Sequence, residues 1–225
     1  MLYNKCMDAK LKERILEKAK NIYEGENSGH DISHIKRVLL YSDVMRKYEG
    51  GDPDVIFVSA VFHDVHRVMS NKLKRFVSPE ESIDVVRQIL EEFHFDDDFL
   101  AKVLYVIANH DKKDMRKSEM SQELQIVQDA DILDAIGVKG LQRTLKYCKA
   151  KHIPVSNTNY SLTTDKYIPN INPISTTHYV ARTMIPQASY LHTESGKLLA
   201  RNQIVILKDF VQKNINEKNV DNYEL

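Results

Sequence analysis

Cysteine is scarce in this chain of 225 residues: Cys6 and Cys148 are the only two. Two thiols cannot build a disulfide framework or a four-cysteine zinc site. Glycine and proline are also few, at seven and six, so little in the chain forces turns or breaks helices. No charge sign dominates, because Lys+Arg and Asp+Glu both number 32 and the formal charge is zero. Binders of nucleic acid polymers and anionic membranes usually carry a basic excess, so neither partner is expected, although a local basic pocket stays open. Long apolar runs are missing as well. The longest is Val55-Ile56-Phe57-Val58, followed after Ser59 by Ala60-Val61-Phe62, far short of the ~20 residues needed to cross a bilayer. Met1 to Lys20 is charged throughout, with no signal-peptide apolar stretch. A cytoplasmic protein is expected.

What remains is an ordinary globular composition, 42% hydrophobic and 28% charged. The departure from ordinary is in its nine histidines, several of them next to aspartates. The apolar periodicity is helical almost everywhere. Leu11, Ile15, Leu16, Ala19, Ile22 and Tyr23 mark a first amphipathic helix, and Ile35, Val38, Leu39, Ser42 and Met45 a second. Asp52-Pro53 is a start signal, an N-cap followed by proline at the first helical position. The helix after it is apolar nearly all round through Phe62, which predicts a central, buried element. Ser78-Pro79-Glu80-Glu81 carries a capping-box pattern. Further helices are predicted over residues 97–109, 122–136 and 138–150, and again over 178–191 and from 194 to about 216. Between them, Lys151 to Thr177 is rich in Asn, Thr, Ser and Pro and reads as a long irregular insertion, a common place for a lid or binding segment. No strand alternation is evident. The expected fold class is all-α, one domain over residues 1–225.

The chemistry gathers on three helices. His63-Asp64 ends the most apolar one, where a carboxylate and an imidazole leave water at a cost of several kcal/mol unless a partner or metal compensates. His34 shares a face with Val38, Tyr41 and Met45, a placement that a satisfied core histidine would also explain. Asp131 lies in Gln128-Asp129-Ala130-Asp131-Ile132-Leu133-Asp134, at the edge of the stripe formed by Val127, Ala130, Leu133 and Ile136, while Asp129 is free to face solvent. A carboxylate at a buried edge needs a cation. Two imidazoles and two carboxylates suit a borderline divalent ion such as Mn, Fe, Co, Ni or Zn ahead of Mg or Ca, which prefer oxygen shells. With open positions left for water and substrate, such an ion serves hydrolysis.

His34, then His63-Asp64, then Asp131 resembles the H…HD…D signature of the HD-domain superfamily of metal-dependent phosphohydrolases. His30-Asp31-Ile32-Ser33-His34-Ile35-Lys36-Arg37-Val38 looks like that family's opening helix, and Val61-Phe62-His63-Asp64-Val65-His66-Arg67 like its central segment. The stretch Ile126 to Gly137 is the most specific. Thr177-His178-Tyr179 with Arg182, and Leu191 to Lys197, resemble the C-terminal helices of a bacterial stand-alone subgroup. The likeness covers residues 28 to 215, with a core over about 28–150, the insertion over 151–177 and C-terminal helices over 178–216. It implies hydrolysis of phosphate esters or anhydrides, with a small nucleotide as first choice of substrate. It also implies one divalent ion on His34, His63, Asp64 and Asp131. Arg182 stands where the subgroup often has lysine, keeping the charge and offering a bidentate fork to phosphate. A second metal would draw on His66, His94 or His110, none of which maps onto a family position.

Secondary candidates follow from charge and position. Arg67, three residues after Asp64, is a candidate for the substrate phosphate, and the Lys72, Lys74, Arg75 cluster for attracting polyphosphate. Glu80 is a candidate general base, whereas capping accounts for Glu81. His110, followed by Asp111, is a candidate phosphate contact or proton donor, although a histidine interacting with its helix dipole would look the same. Two other functions compete. His30-Asp31-x-x-His34 has the shape of a zinc-peptidase helix motif, but Gly29 places His30 at or beyond the helix start. A non-catalytic metal- or nucleotide-binding sensor would keep the same ligands. Assembly into a homo-oligomer is left open.

Overall fold

Aspartates start several of the helices. Asp8 accepts from the Leu11 amide ahead of α1 (Ala9–Ile22), Asp31 from Ser33 and His34 ahead of α2 (Ile32–Glu49), and Asp52 from Asp54 and Val55 ahead of α3 (Pro53–Phe62). Each such cap satisfies amides that the helix itself cannot, worth about 1 kcal/mol. Three further helices follow: α4 (Val65–Leu73), α5 (Ile83–Glu91) and α6 (Asp97–Asn109), the last capped by Asp96. The Ser78 capping box is present: Ser78 Oγ accepts from the Glu81 amide at 3.3 Å, and the Ser78 amide donates to Glu81 Oε1 at 3.2 Å. It opens a 3₁₀ turn, Glu80–Ser82, which leads into α5. The remaining helices are α7 (Gln122–Ile136), α8 (Val138–Ala150), α9 (Thr176–Tyr179), α10 (Ile185–Gln187) and α11 (Glu194–Val220).

The computed structural model describes residues 7–26, 29–156 and 171–220, the last six of these as backbone. No strand occurs among the described residues, and the fold is all-α. Residues 157–170 of the expected insertion, and Cys6, lie outside them. The chain divides into two compact units, Met1–Ala130 and Asp131–Leu225.

In the first unit α3 is the hub. Val55, Ile56, Val58, Ala60, Val61 and Phe62 are all buried, as the unbroken apolar run predicts, and α2 and α6 pack on it. Burying such side chains contributes about 1.5–3 kcal/mol each, so the end of α3 is a firm place to hold polar groups. Tyr23 ties α1 to it, donating to the Val61 carbonyl at 3.1 Å.

One expectation fails on α7. Asp129 is fully buried, and so are Gln128 and Asp134. Every residue from Leu124 to Ala130 is buried, so the helix is enclosed all round and has no solvent face to offer Asp129.

In the second unit Gly140 sits where a Cβ would meet the Ala135 carbonyl oxygen at 1.8 Å, so only glycine allows the tight passage from α7 into α8. Arg143 then pairs with buried Asp134 at 2.7 Å. The helical stretch predicted over 178–191 begins earlier, at Thr176, and is irregular: a π turn, Val180–Met184, separates α9 from α10, and a 3₁₀ turn ends it at Tyr190. Pro186 has no N–H for the Arg182 carbonyl, which accounts for the ladder widening in the turn before it.

Candidate metal centre

Four histidines face one another in a row at the end of α3. The ring centroids of His34 and His63 are 5.3 Å apart, those of His63 and His110 5.0 Å, and those of His110 and His66 5.3 Å. His30 extends the row beyond His34, again at 5.3 Å. His34, His63, His66 and His110 are all buried.

Three of the rings are locked in the same way. Nδ1 of His63 donates to the Ala60 carbonyl at 2.9 Å, Nδ1 of His66 to His63 at 3.1 Å, and Nδ1 of His110 to Ile107 at 2.7 Å. Each partner is the carbonyl three residues back, at or just beyond a helix end, where carbonyls run short of intrahelical amides. With Nδ1 carrying the proton, each Nε2 is left as a lone pair, the state in which an imidazole binds a metal. Sequence position makes this lock available, because His63 and His110 are the first residues after α3 and α6.

Asp64 joins these lone pairs. It stands between α3 and α4 with φ −96° and ψ 12°, and its side chain does not cap α4. Its Oδ2 lies 3.1 Å from His34 Nε2 and 3.3 Å from His63 Nε2, and those two nitrogens are 3.3 Å apart. Donor atoms bound at ~2.1 Å to one ion sit ~3.0 Å apart in an octahedron and ~3.4 Å apart in a tetrahedron. The three separations fall within that interval, so the triangle fits a single ion. Burial pushes the Asp64 carboxyl up, but the charges of His30 and His63 and hydrogen bonds from His30 and His34 outweigh it and hold the group well below the usual carboxylate range.

A second set lies beside the first. His66, His110 and Asp111 bring three ligand atoms within 4.8 Å of one another, as do His63, Asp64 and His110. His66 Nε2 is buried without a hydrogen-bond partner, which a protein tolerates where a cation or other donor completes the site. Burial, then His110, pushes the His66 imidazole down to about 4; burial, then His63, lowers His110. Gln128 anchors the turn after α6, donating to the His110 and Lys112 carbonyls at 2.8 and 3.2 Å.

The structure thus brings His34, His63, Asp64 and His110 together. Arg67 stands at the edge, half-buried, with Nη2 3.2 Å from Asp111 Oδ2 and Nε 3.8 Å from Asp64 Oδ1. Glu80 belongs to none of the convergent sets: it is exposed, and its carboxylate is 2.7 Å from Lys112 Nζ. That hydrogen bond lowers its pKa despite partial burial, which weakens it as a base. Lys72 is exposed on the last turn of α4. His94 is exposed as well, with a left-handed φ of 56°. Asp131, half-buried, and Arg182, half-buried in the π turn, belong to the second unit.

Sequence reasoning gave three participants no definite role. His66, one helical turn beyond His63, was one of three candidates for a second metal, and Asp111 was noted only as following His110; both spacings were visible, but nothing in them shows which atoms converge. His30 was read as part of the family's opening helix and of a competing peptidase motif. It precedes the cap Asp31 and lies outside α2, so the two histidines are not one turn apart on a helix. Instead, His30 Nδ1 is 2.6 Å from Asp64 Oδ2.

Comparison with known proteins agrees with this geometry. The family model for the HD domain matches residues 31–136. YpgQ, an uncharacterized protein of Bacillus subtilis (strain 168), is 29% identical over 147 residues, 64% of this chain and 69% of YpgQ. A crystal structure of an HD-superfamily hydrolase from Bacillus thuringiensis has a TM-score of 0.71 and 28% identity, covering 93% of this chain and 97% of the other. The crystal structure of B. subtilis YpgQ in complex with ADP has a TM-score of 0.65 and 21% identity, covering 92% and 97%, a likeness of fold. The histidine and histidine-aspartate motifs supply the converging donor atoms, the matched residues run from the cap of α2 to the end of α7, and residues 31–136 are an HD domain.

Proposed function

We propose that this chain is a metal-dependent phosphohydrolase that cleaves phosphate esters or anhydrides of small nucleotides. The observation that carries the reading is the triangle of His34 Nε2, His63 Nε2 and Asp64 Oδ2, with sides of 3.1–3.3 Å, buried at the end of the most apolar helix. Asp131 is assigned as the fourth ligand from its place in the H…HD…D order. The mixed nitrogen and oxygen set favours Mn, Fe, Co, Ni or Zn over Mg. The chemistry such an ion supplies when bound is Lewis acidity toward a phosphoryl oxygen and the attacking water.

The chain's own groups do the rest. Arg67 presents a guanidinium beside the triangle, suited to the equatorial oxygens of a phosphoryl group as charge develops on them. Arg182 is assigned the same task from the second unit, and Lys72 long-range attraction of a polyphosphate. His110, with Nδ1 occupied by the Ile107 carbonyl, offers Nε2 as an acceptor and so takes a proton from water more readily than it gives one to a leaving oxygen. Burial around the histidine row excludes bulk water, which strengthens each of these interactions. The nucleotide substrate is supported by the ADP complex of YpgQ.

The test is a screen for phosphate and pyrophosphate release. Metal-stripped protein is assayed against nucleoside mono-, di- and triphosphates with Mn, Co, Ni, Mg and Zn added singly. Metal-dependent release from one nucleotide class is expected, abolished in Asp64→Ala and Asp131→Ala. Unchanged metal content and turnover in either variant would refute the ligand assignment. Tight nucleotide binding without release would instead favour the sensor.

A further inference from the structure

Asp64 occupies a position with two uses. It immediately precedes α4, where aspartate is among the strongest capping residues because its carboxylate can accept from the second or third helical amide. Yet Asp64 makes no such cap. Its carboxylate turns the other way, toward His34 and His63. Asp8, Asp31, Asp52 and Asp96, all with extended backbone, cap the helices they precede; Asp64, with ψ 12°, is not in that conformation, and its buried carboxylate carries a desolvation cost that needs an offset.

The group that offsets it is outside the triangle. His30 Nδ1 donates to Asp64 Oδ2 at 2.6 Å. His30 is itself held: its backbone amide donates to Glu26 Oε2 at 3.0 Å, and Glu26 Oε1 accepts from Asn71 Nδ2 at 2.6 Å. Asn71 lies on α4, the helix that Asp64 leaves uncapped. The chain Asn71–Glu26–His30–Asp64 therefore fixes the carboxylate's direction relative to α4. Gly29, with φ 103°, permits the turn that delivers His30.

We propose that His30 is a positioning residue for metal loading, whose Nδ1–H holds the Asp64 carboxylate in the ligand orientation. The inference rests on the metal-centre reading above. It separates aim from fold: without His30 the carboxylate keeps its place in the chain but loses its aim, so metal binding falls while the protein still folds.

The experiment titrates Mn(II) alone into full-length, metal-stripped wild type, His30→Ala and His30→Asn by calorimetry, and records the melting temperature of each apo protein. His30→Ala is expected to weaken Mn(II) binding about 10- to 100-fold, the usual effect of losing a partner that orients a ligand, in an apo protein that still melts cooperatively. His30→Asn, whose amide nitrogen can replace Nδ1, is expected to stay within about threefold of wild type. Three results would overturn the proposal: unchanged Mn(II) affinity in His30→Ala, equal losses in His30→Ala and His30→Asn, or an apo His30→Ala without a cooperative melt, which would make its loss of affinity a loss of fold. A wild type that binds no Mn(II) would overturn the metal-centre reading and the inference with it, whereas loading of wild type and His30→Ala alike overturns the inference alone.

Discussion

The two ends of the histidine row are built from the same parts and differ in one respect. At both ends a buried imidazole is locked through Nδ1 to the carbonyl three residues back, so that Nε2 is a lone pair. At the His63 end the carboxylate, Asp64, is buried and its oxygen touches Nε2 atoms at 3.1 and 3.3 Å. At the His66 end the carboxylate, Asp111, is a third exposed, stands 3.9 Å from Nε2 and is already paired with Arg67. A guanidinium on the carboxylate competes with any added cation for the same charge. Identical imidazole chemistry therefore yields a donor set that could hold a cation at one end and, at the other, a rim where a cationic side chain of the protein takes that place.

Removing one imidazole from each end breaks the comparison most directly. His63→Ala is expected to weaken metal binding by more than about 100-fold, beyond the loss from an outer partner, with hydrolysis lost in proportion. His66→Ala is expected to leave the metal content of purified protein at its wild-type level, as read by elemental analysis. Equal losses in the two variants would mean that Arg67 does not set the ends apart.

Arg67 itself gives the next largest effect. On the proposed function its guanidinium meets a phosphoryl group rather than holding the ion, so Arg67→Ala should keep metal content while kcat/KM falls about 10- to 100-fold, the size of one or two charge-assisted hydrogen bonds. Arg67→Lys should recover part of this, since it keeps charge but loses the fork. A variant that loses metal instead would assign Arg67 to holding Asp64 through the 3.8 Å contact.

The His66 end also sets a pH response in the apo protein. Burial and His110 push His66 from 6.5 down to about 4, so as pH falls below about 6.5 the unfolded chain takes up a proton that the folded chain refuses. Stability is full above that pH and is lost progressively until about 4, below which this contribution levels off. The melting temperature of metal-stripped protein should decline across that window, and His66→Leu should flatten the decline. An unchanged slope in His66→Leu would place the acid sensitivity on His110 or elsewhere.

Much of this architecture was legible in the chain. Asp52-Pro53 marked the start of α3, and an apolar run without a polar face could only be a central helix. The order His34, His63-Asp64, Asp131 pointed to a metal because three of those groups fall where desolvation is costly. What was not legible depends on contacts distant in sequence. Asp129 and Asp134 lie in one helix, and periodicity does not tell how many of its faces are covered; burial all round removed the solvent face assigned to Asp129. The lone pairs of His66 and His110 exist because their Nδ1 atoms donate to carbonyls three residues back at helix ends, and no spacing shows that those ends meet. His30 looked like half of a helical motif because the boundary of α2 depends on which aspartate caps it.

Glu80 tests the opposite extreme of the same contrast, a carboxylate that stays in solvent. Its partner Lys112 lies 2.7 Å away on the turn that Gln128 fixes through the His110 and Lys112 carbonyls. Both members of the pair are exposed, and exposed pairs contribute at most about 1 kcal/mol. The lysine also lowers the Glu80 pKa, which moves it away from the near-neutral value that serves a general base. Asp64 differs on every count: it is buried, its charge faces imidazoles, and an ion would complete it. Glu80→Gln is therefore expected to change kcat less than about threefold and to leave its pH profile in place. A loss of about 100-fold with the acidic limb of the profile removed would show instead that Glu80 accepts the proton of the attacking water, because loss of an exposed ion pair alone does not abolish a titration in kcat.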